Sequence, residues 1–142
     1  MKTKNKAHPP GPDLRSWLAT LESHGELKRI TTEVDWDQEI GAIARINLGL
    51  QGPGLLFENI KGYQNTRCTK FLTGSLGNRR HVCLLLGLPL DTPDRQIVAH
   101  LKRNYRHGIA PVEVETGPVK THRLVGSDLD LTRFPRTLLA SP

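Results

Sequence analysis

The residues best suited by type to do chemistry are the glycines, asparagine and arginines of Gly74-Ser75-Leu76-Gly77-Asn78-Arg79-Arg80. At the start of a helix such a turn can aim backbone N–H groups at an anion, with Arg79 or Arg80 nearby to neutralise it. The same residues also make an ordinary strand-to-helix turn, so whether the segment binds an anion stays open at this point. Gly52-Pro53-Gly54 is the weaker candidate. A dinucleotide loop needs a third glycine and joins a strand to a helix, whereas this one precedes an apolar, strand-like run. It reads as a turn.

The remaining reactive types are scattered. His8, His24, His81, His100, His107 and His122 form no HExxH and no paired arrangement four residues apart, and the simpler reading places them on the surface. Cys68 and Cys83 make no CxxC and no disulfide framework. Both read as reduced thiols, with Cys83 a small core residue on an apolar helix face. Asp128 and Asp130 share a face of an extended segment, but Leu129 and Leu131 beside them reduce the pattern to alternation, and the two read as solvent-facing. No serine, cysteine or lysine stands in a nucleophile setting. On this reading there is no catalytic, cofactor-binding or metal-ligating residue to assign.

Composition narrows the class. Of the 142 residues 37% are hydrophobic and 24% charged, which fits a globular chain, and the 5% of aromatics leaves the core to Leu, Ile and Val. Half of the net charge of +6 comes from Lys2, Lys4 and Lys6, so the folded part carries about +3. That is too little, and too dispersed, for a nucleic-acid surface. The longest apolar run, residues 82–90, is broken by Gly87 and Pro89 and cannot span a bilayer. Pro9-Pro10-Gly11-Pro12 follows the lysines where a signal peptide would be apolar, so the expected compartment is the cytoplasm.

The elements that must position these residues follow from periodicity. Residues 1–12 read as a disordered tail. Asp13 can cap a helix whose Leu14, Trp17, Leu18 and Leu21 form one stripe, and Gly25 ends it in the left-handed conformation. Residues 26–34 alternate as a strand with one wet face, more peripheral than the strand at residues 55–60. A second helix opens at Asp35 or Asp37, with Asp35 and Gln38 at capping-box spacing, and buries Ile40, Ile43, Ala44 and Leu48. The run Leu55-Leu56-Phe57, between Gly-Pro-Gly and a Lys61-Gly62 turn, predicts a strand covered on both faces.

Residues 70–73 predict another strand, and Val82, Leu85 and Leu86 belong to a short third helix that ends at Gly87. Thr92-Pro93 predicts a fourth helix, with the hydroxyl as cap and proline at the first helical position. Ile97, Val98, Leu101 and Tyr105 line one face of it, with Lys102, Arg103 and Arg106 near its C-terminus. Residues 111–115 and 119–125 predict two strands pairing across Thr116-Gly117-Pro118, and the chain beyond Gly126 an extended connector. The fold class is α+β, a mixed β-sheet packed with about four helices.

Several of these segments together resemble the UbiD family of prenylated-FMN-dependent decarboxylases. The shared motifs are Asp13-Leu14-Arg15, Gly25-Glu26-Leu27, Glu39-Ile40-Gly41-Ala42-Ile43, residues 55–63, Leu86-Gly87-Leu88, and Val125-Gly126 with Asp130-Leu131, in the family's order. The resemblance covers the N-terminal domain and runs from Asp13 to about Pro135. It implies an N-terminal α/β domain at residues 13–126 and a connector at 127–142 towards a flavin-binding domain. The implied parent activity is reversible non-oxidative decarboxylation of an aromatic or α,β-unsaturated carboxylic acid, a carboxy-lyase reaction.

Prenylated FMN, Mn2+ and K+ are implied for the middle domain of the full-length enzyme, where a Glu-Arg-Glu set moves protons. Every shared motif lies ahead of those segments, so the resemblance carries over no catalytic residue and implies no cofactor bound by this chain alone. The implied partners are that flavin-binding domain or subunit and, in the full enzyme, the acid substrate. After Phe134-Pro135 the sequence Arg136-Thr137-Leu138-Leu139-Ala140-Ser141-Pro142 departs from the family pattern. The expectation is a fragment that is inactive alone. The alternative is a stand-alone accessory or interaction subunit of a multi-chain carboxylase.

Overall fold

The structure, a computed structural model, describes residues 13–106 and 108–135. The tail at 1–12, with its lysines and His8, and also His107 and residues 136–142, lie outside the described residues. The element order is α1 (Leu14–Ser23), β1 (Leu27–Ile30), α2 (Glu39–Gly49), β2 (Gly54–Phe57), β3 (Phe71–Thr73), α3 (Arg79–Leu85) and α4 (Asp94–Tyr105). Three 3-10 turns follow, at Pro118–Lys120, Gly126–Asp128 and Leu131–Arg133. The three strands form one mixed sheet in the order β1-β2-β3, the first pair parallel and the second antiparallel. The class is α+β, as expected.

β2 lies at the centre because it is the strand that can be apolar on both sides. Gly54, Leu55, Leu56 and Phe57 are all buried, whereas Lys28 and Arg29 of the edge strand β1 are exposed. Leu55 and Phe57 point to one face with Val34, Ile40, Ile60 and Tyr63, a cluster built on α2. Trp17, Leu21 and Leu84 make a second cluster that joins α1 to α3, with Leu27 packed against it. Beyond β1 an isolated parallel bridge joins Val34 to Ile60, past the end of β2, so the strand expected over residues 26–34 is interrupted, and Thr31 to Glu33 are exposed.

The caps explain where the helices begin. Asp13 accepts from the Ser16 N–H and from its hydroxyl, both at 2.7 Å, as the sequence predicts. At α2 the start shifts. Gln38 takes φ +68° and gives no side-chain cap, and the reciprocal bonding falls to Asp35 and Glu39 instead. The Asp35 N–H donates to Glu39 Oε2 at 2.7 Å, and Asp35 Oδ1 accepts from the Asp37 N–H at 3.0 Å. Residues 36–38 are thereby a turn, and Leu48, expected inside, is 54% exposed.

Two further expectations change, at α4 and at the late strands. Thr92 does not cap α4: its hydroxyl donates to the Pro89 carbonyl at 2.6 Å, and Pro93 stands one position before the helix. On α3 the buried residues are His81, Cys83 and Leu84, with Leu84 packed with Trp17 and Leu21 of α1, while Leu85 is exposed. No strand forms at 111–115 or 119–125. Val112, Val114 and Val119 are 84%, 66% and 88% exposed, and a lone hairpin without a covered face is marginal in water.

Candidate functional site

The turn singled out by its glycines leaves β3 at Thr73 and enters α3 at Arg79. Gly74 sits at φ +68°, where a side chain would be strained, and so redirects the chain. Asn78 then spends both ends of its amide. Its Oδ1 accepts from the His81 N–H at 3.0 Å, capping the helix. Its Nδ2 donates to the carbonyls of Gly52 at 3.1 Å and Gln51 at 3.3 Å, clamping the Gly-Pro-Gly turn that feeds β2. Asn47 holds the other side of that turn through the Pro53 carbonyl at 2.8 Å.

Both arginines are engaged as well. Arg79 donates to the Thr92 carbonyl at 3.3 Å and faces Asp94 at 3.9 Å. Arg80 donates to Glu26 Oε1. The polar side chains of the turn are therefore directed to neighbours within the chain, and the two candidate glycine loops turn out to be one joint, tied together by Asn78.

Beneath the turn lies a feature that the sequence reading missed. His81, expected on the surface, is fully buried, and its Nε2 lies 3.1 Å from Glu26 Oε2. Glu26 is itself only 7% exposed. With Glu26 Oε2 as the acceptor, Nε2 is the ring nitrogen that donates, and the Asn78 amide protons go to the two carbonyls. Nδ1 is left buried without a hydrogen-bond partner among the described residues. Burial pushes the His81 pKa down, against the opposing pull of Glu26 and of the Gly74 backbone and with a small further push from Arg80. His81 is thus held neutral, and the Arg80–Glu26–His81 set fastens α3 to the entrance of β1. No signal short of knowing that Glu26 and His81 meet would have found it.

The other candidates stay apart. His24 is half-buried and its Nδ1 lies 2.8 Å from the Thr20 carbonyl, His100 approaches Asn104 at 2.8 Å, and His122 is exposed. Cys83 is buried, as expected, and burial raises its thiol pKa, which keeps it protonated; Cys68 is half-buried. Asp128 is exposed, but Asp130 is half-buried and caps the last 3-10 turn through the Thr132 N–H at 2.9 Å, which corrects the reading of both aspartates as simply solvent-facing. A recess of about 260 Å³ lies between Arg67 and the Leu124, Arg133 and Phe134 side chains. It contains no nucleophile–base pair.

No three His, Cys, Asp or Glu side chains among the described residues converge on a point that could hold a metal ion. No helix among the described residues is long and apolar enough to cross a membrane.

Comparison with known proteins agrees with this architecture. Residues 18–101 match the 3-octaprenyl-4-hydroxybenzoate carboxy-lyase N-terminal domain. A phenolic acid decarboxylase of Streptomyces sp. (strain D7) is 37% identical over 122 residues, covering 84% of this chain and 25% of the relative. A pyrrole-2-carboxylic acid decarboxylase of Pseudomonas aeruginosa is 37% identical over 133 residues, covering 89% and 27%. The vanillic acid decarboxylase of Sedimentibacter hydroxybenzoicus, in its closed form, superposes with a TM-score of 0.73 at 29% identity over 87% of this chain and 26% of that one. The chain thus spans about a quarter of the length of the relatives it matches.

Proposed function

The chain belongs to the UbiD carboxy-lyase family, whose N-terminal domain it contains, and we propose that it is the leading scaffold domain of a decarboxylase whose reaction centre is built by other segments. The observation that carries this reading is the use made of its polar groups. In the turn with the best claim to an anion site, the Asn78 and Arg80 side chains are engaged in holding α3, β1 and the β2 entrance together. A domain so built positions a neighbour and does not itself transform a substrate.

In this reading residues 13–126 are the scaffold, and the chain from residue 127 leads towards a flavin-binding domain. The substrate of the whole enzyme is an aromatic or α,β-unsaturated carboxylic acid, supported by relatives that act on phenolic acids and on pyrrole-2-carboxylate. Prenylated FMN, with Mn2+ and K+, would supply the electron sink for loss of carbon dioxide, and it would be held outside this chain. No proton transfer is assigned to a residue described here. The chain alone is inactive, and its compartment is the cytoplasm.

The alternative, a stand-alone accessory subunit, predicts a closed surface. Against it stand the exposed Val98, Leu101 and Tyr105 of α4 and the exposed valines that follow. The test is turnover. Purified chain supplied with prenylated FMN, Mn2+ and K+ is assayed for carbon dioxide release from a phenolic acid and from pyrrole-2-carboxylate. No release above the protein-free control is expected, and release in proportion to chain concentration refutes the reading.

A further inference from the structure

α4 carries a stripe that the fold leaves bare. Val98, Leu101 and Tyr105 recur at the spacing of one helix face, and they are 49%, 45% and 91% exposed, whereas Ile97 alone on this helix is buried. Beside Leu101 and Tyr105 runs a groove of about 490 Å³, whose other wall is Lys102 and Arg106. Arg95, Lys102 and Arg106 fall on one row next to the stripe. None of them makes an ion pair among the described residues. The single acid of α4, Asp94, lies in its first turn and faces Arg79.

An apolar strip edged by unpaired cations is the complement of an apolar strip edged by carboxylates. A second copy of the chain does not supply it. In a two-fold pairing the same face would meet itself, and α4 holds one acid, Asp94, which already faces Arg79. The relatives are about four times as long as the segment this chain matches, so most of such an enzyme is available to cover the face.

We propose that the Val98–Leu101–Tyr105 stripe and the Arg95–Lys102–Arg106 row form the seat on which the flavin-binding part of the enzyme docks, through apolar side chains flanked by Asp and Glu. This rests on the reading of the chain as one domain of a larger decarboxylase. Tyr105 is the anchor, since a large amphipathic ring that leaves water entirely is the kind of group that dominates an interface. The cation row sets the rate and salt dependence of association more than its final strength.

The experiment titrates the full chain with the vanillic acid decarboxylase from which the segment matching this chain has been removed. In parallel, oxidation of Tyr105 by hydroxyl radicals is compared between the lone chain and a full-length chimera carrying this chain in place of that segment. Binding is expected, weakened roughly thirty-fold or more by Leu101→Asp or Tyr105→Asp, both at exposed positions, with thermal stability unchanged. Lys102→Glu with Arg106→Glu is expected to slow association and flatten its salt dependence. Tyr105 is expected to be protected in the chimera.

Equal binding by the aspartate variants, with Tyr105 oxidised equally in both contexts, overturns the docking face and leaves the scaffold reading standing. No binding by the unmodified chain, together with an unprotected Tyr105, overturns both. Self-association of the lone chain that Leu101→Asp abolishes makes a second copy the occupant, and overturns the proposal.

Discussion

His81 Nε2 lies 3.1 Å from Glu26 Oε2, with both side chains withdrawn from water and Arg80 closing the set from the solvent side. This contact joins the start of α3 to the residue before β1, and it replaces what would be apolar packing with a polar clasp. A buried pair of this kind gives modest net stability when whole and is costly when halved.

His81→Ala should therefore lower unfolding stability by about 2–4 kcal/mol, from the cavity it leaves and from Glu26 losing its buried donor. Glu26→Gln keeps the shape and a hydrogen-bonding oxygen, so its cost should be smaller. Urea titrations of the two variants and the unmodified chain give the ordering. A Glu26→Gln cost above that of His81→Ala would show that the clasp is organised around Arg80.

The same contact sets a pH dependence. Burial holds the His81 pKa below its unfolded value of roughly 6.5. In the window between the two values the unfolded chain binds the proton and the folded chain does not, so stability rises with pH there. His81 should contribute fully above about pH 6.5, with the contribution lost as pH falls through the lower folded-state value. Denaturant midpoints between pH 8 and pH 5 should decline towards acid, and His81→Gln should flatten that decline. A separate fall at lower pH should come from Glu58, whose pKa is held down first by the Lys70 hydrogen bond and then by Arg29.

Asn78→Ala removes a helix cap and two bonds to the Gly-Pro-Gly turn at once. The expected loss is about 1–3 kcal/mol. Asn78→Ser, which can cap but cannot reach the Gln51 and Gly52 carbonyls as an amide does, should recover only part of it. Equal stability of the two variants would show that the cap carries the whole effect.

Much of the scaffold was legible because its signals are local. The Asp13 cap, the Gly25 stop at φ +71°, and the apolar run that makes β2 central depend on neighbours in sequence. What was not legible depends on residues that meet only after folding. The role of His81 is set by Glu26, and Leu84 of α3 packs with Trp17 and Leu21 of α1. The valines at 112, 114 and 119 alternate as a strand would, but alternation reports a covered face and not what covers it. Val98, Leu101 and Tyr105 likewise keep the periodicity of one helix face, and all three are exposed.

The Tyr63 hydroxyl donates to the Thr132 carbonyl at 3.1 Å, tying the core to the last described turn. Tyr63→Phe should cost no more than about 1 kcal/mol overall. It should nevertheless speed hydrogen exchange at residues 131–134 while leaving β2 protected. Faster exchange across β2 would mean that the hydroxyl supports the core and not the tether.

The central claim, that this domain supports a reaction centre without containing one, is tested most directly by its affinity for the cofactor. Purified chain is mixed with prenylated FMN, Mn2+ and K+ and passed through a sizing column, and flavin absorbance is followed across the protein peak. The account predicts that the flavin elutes apart from the protein. One flavin per chain travelling with the protein would contradict it.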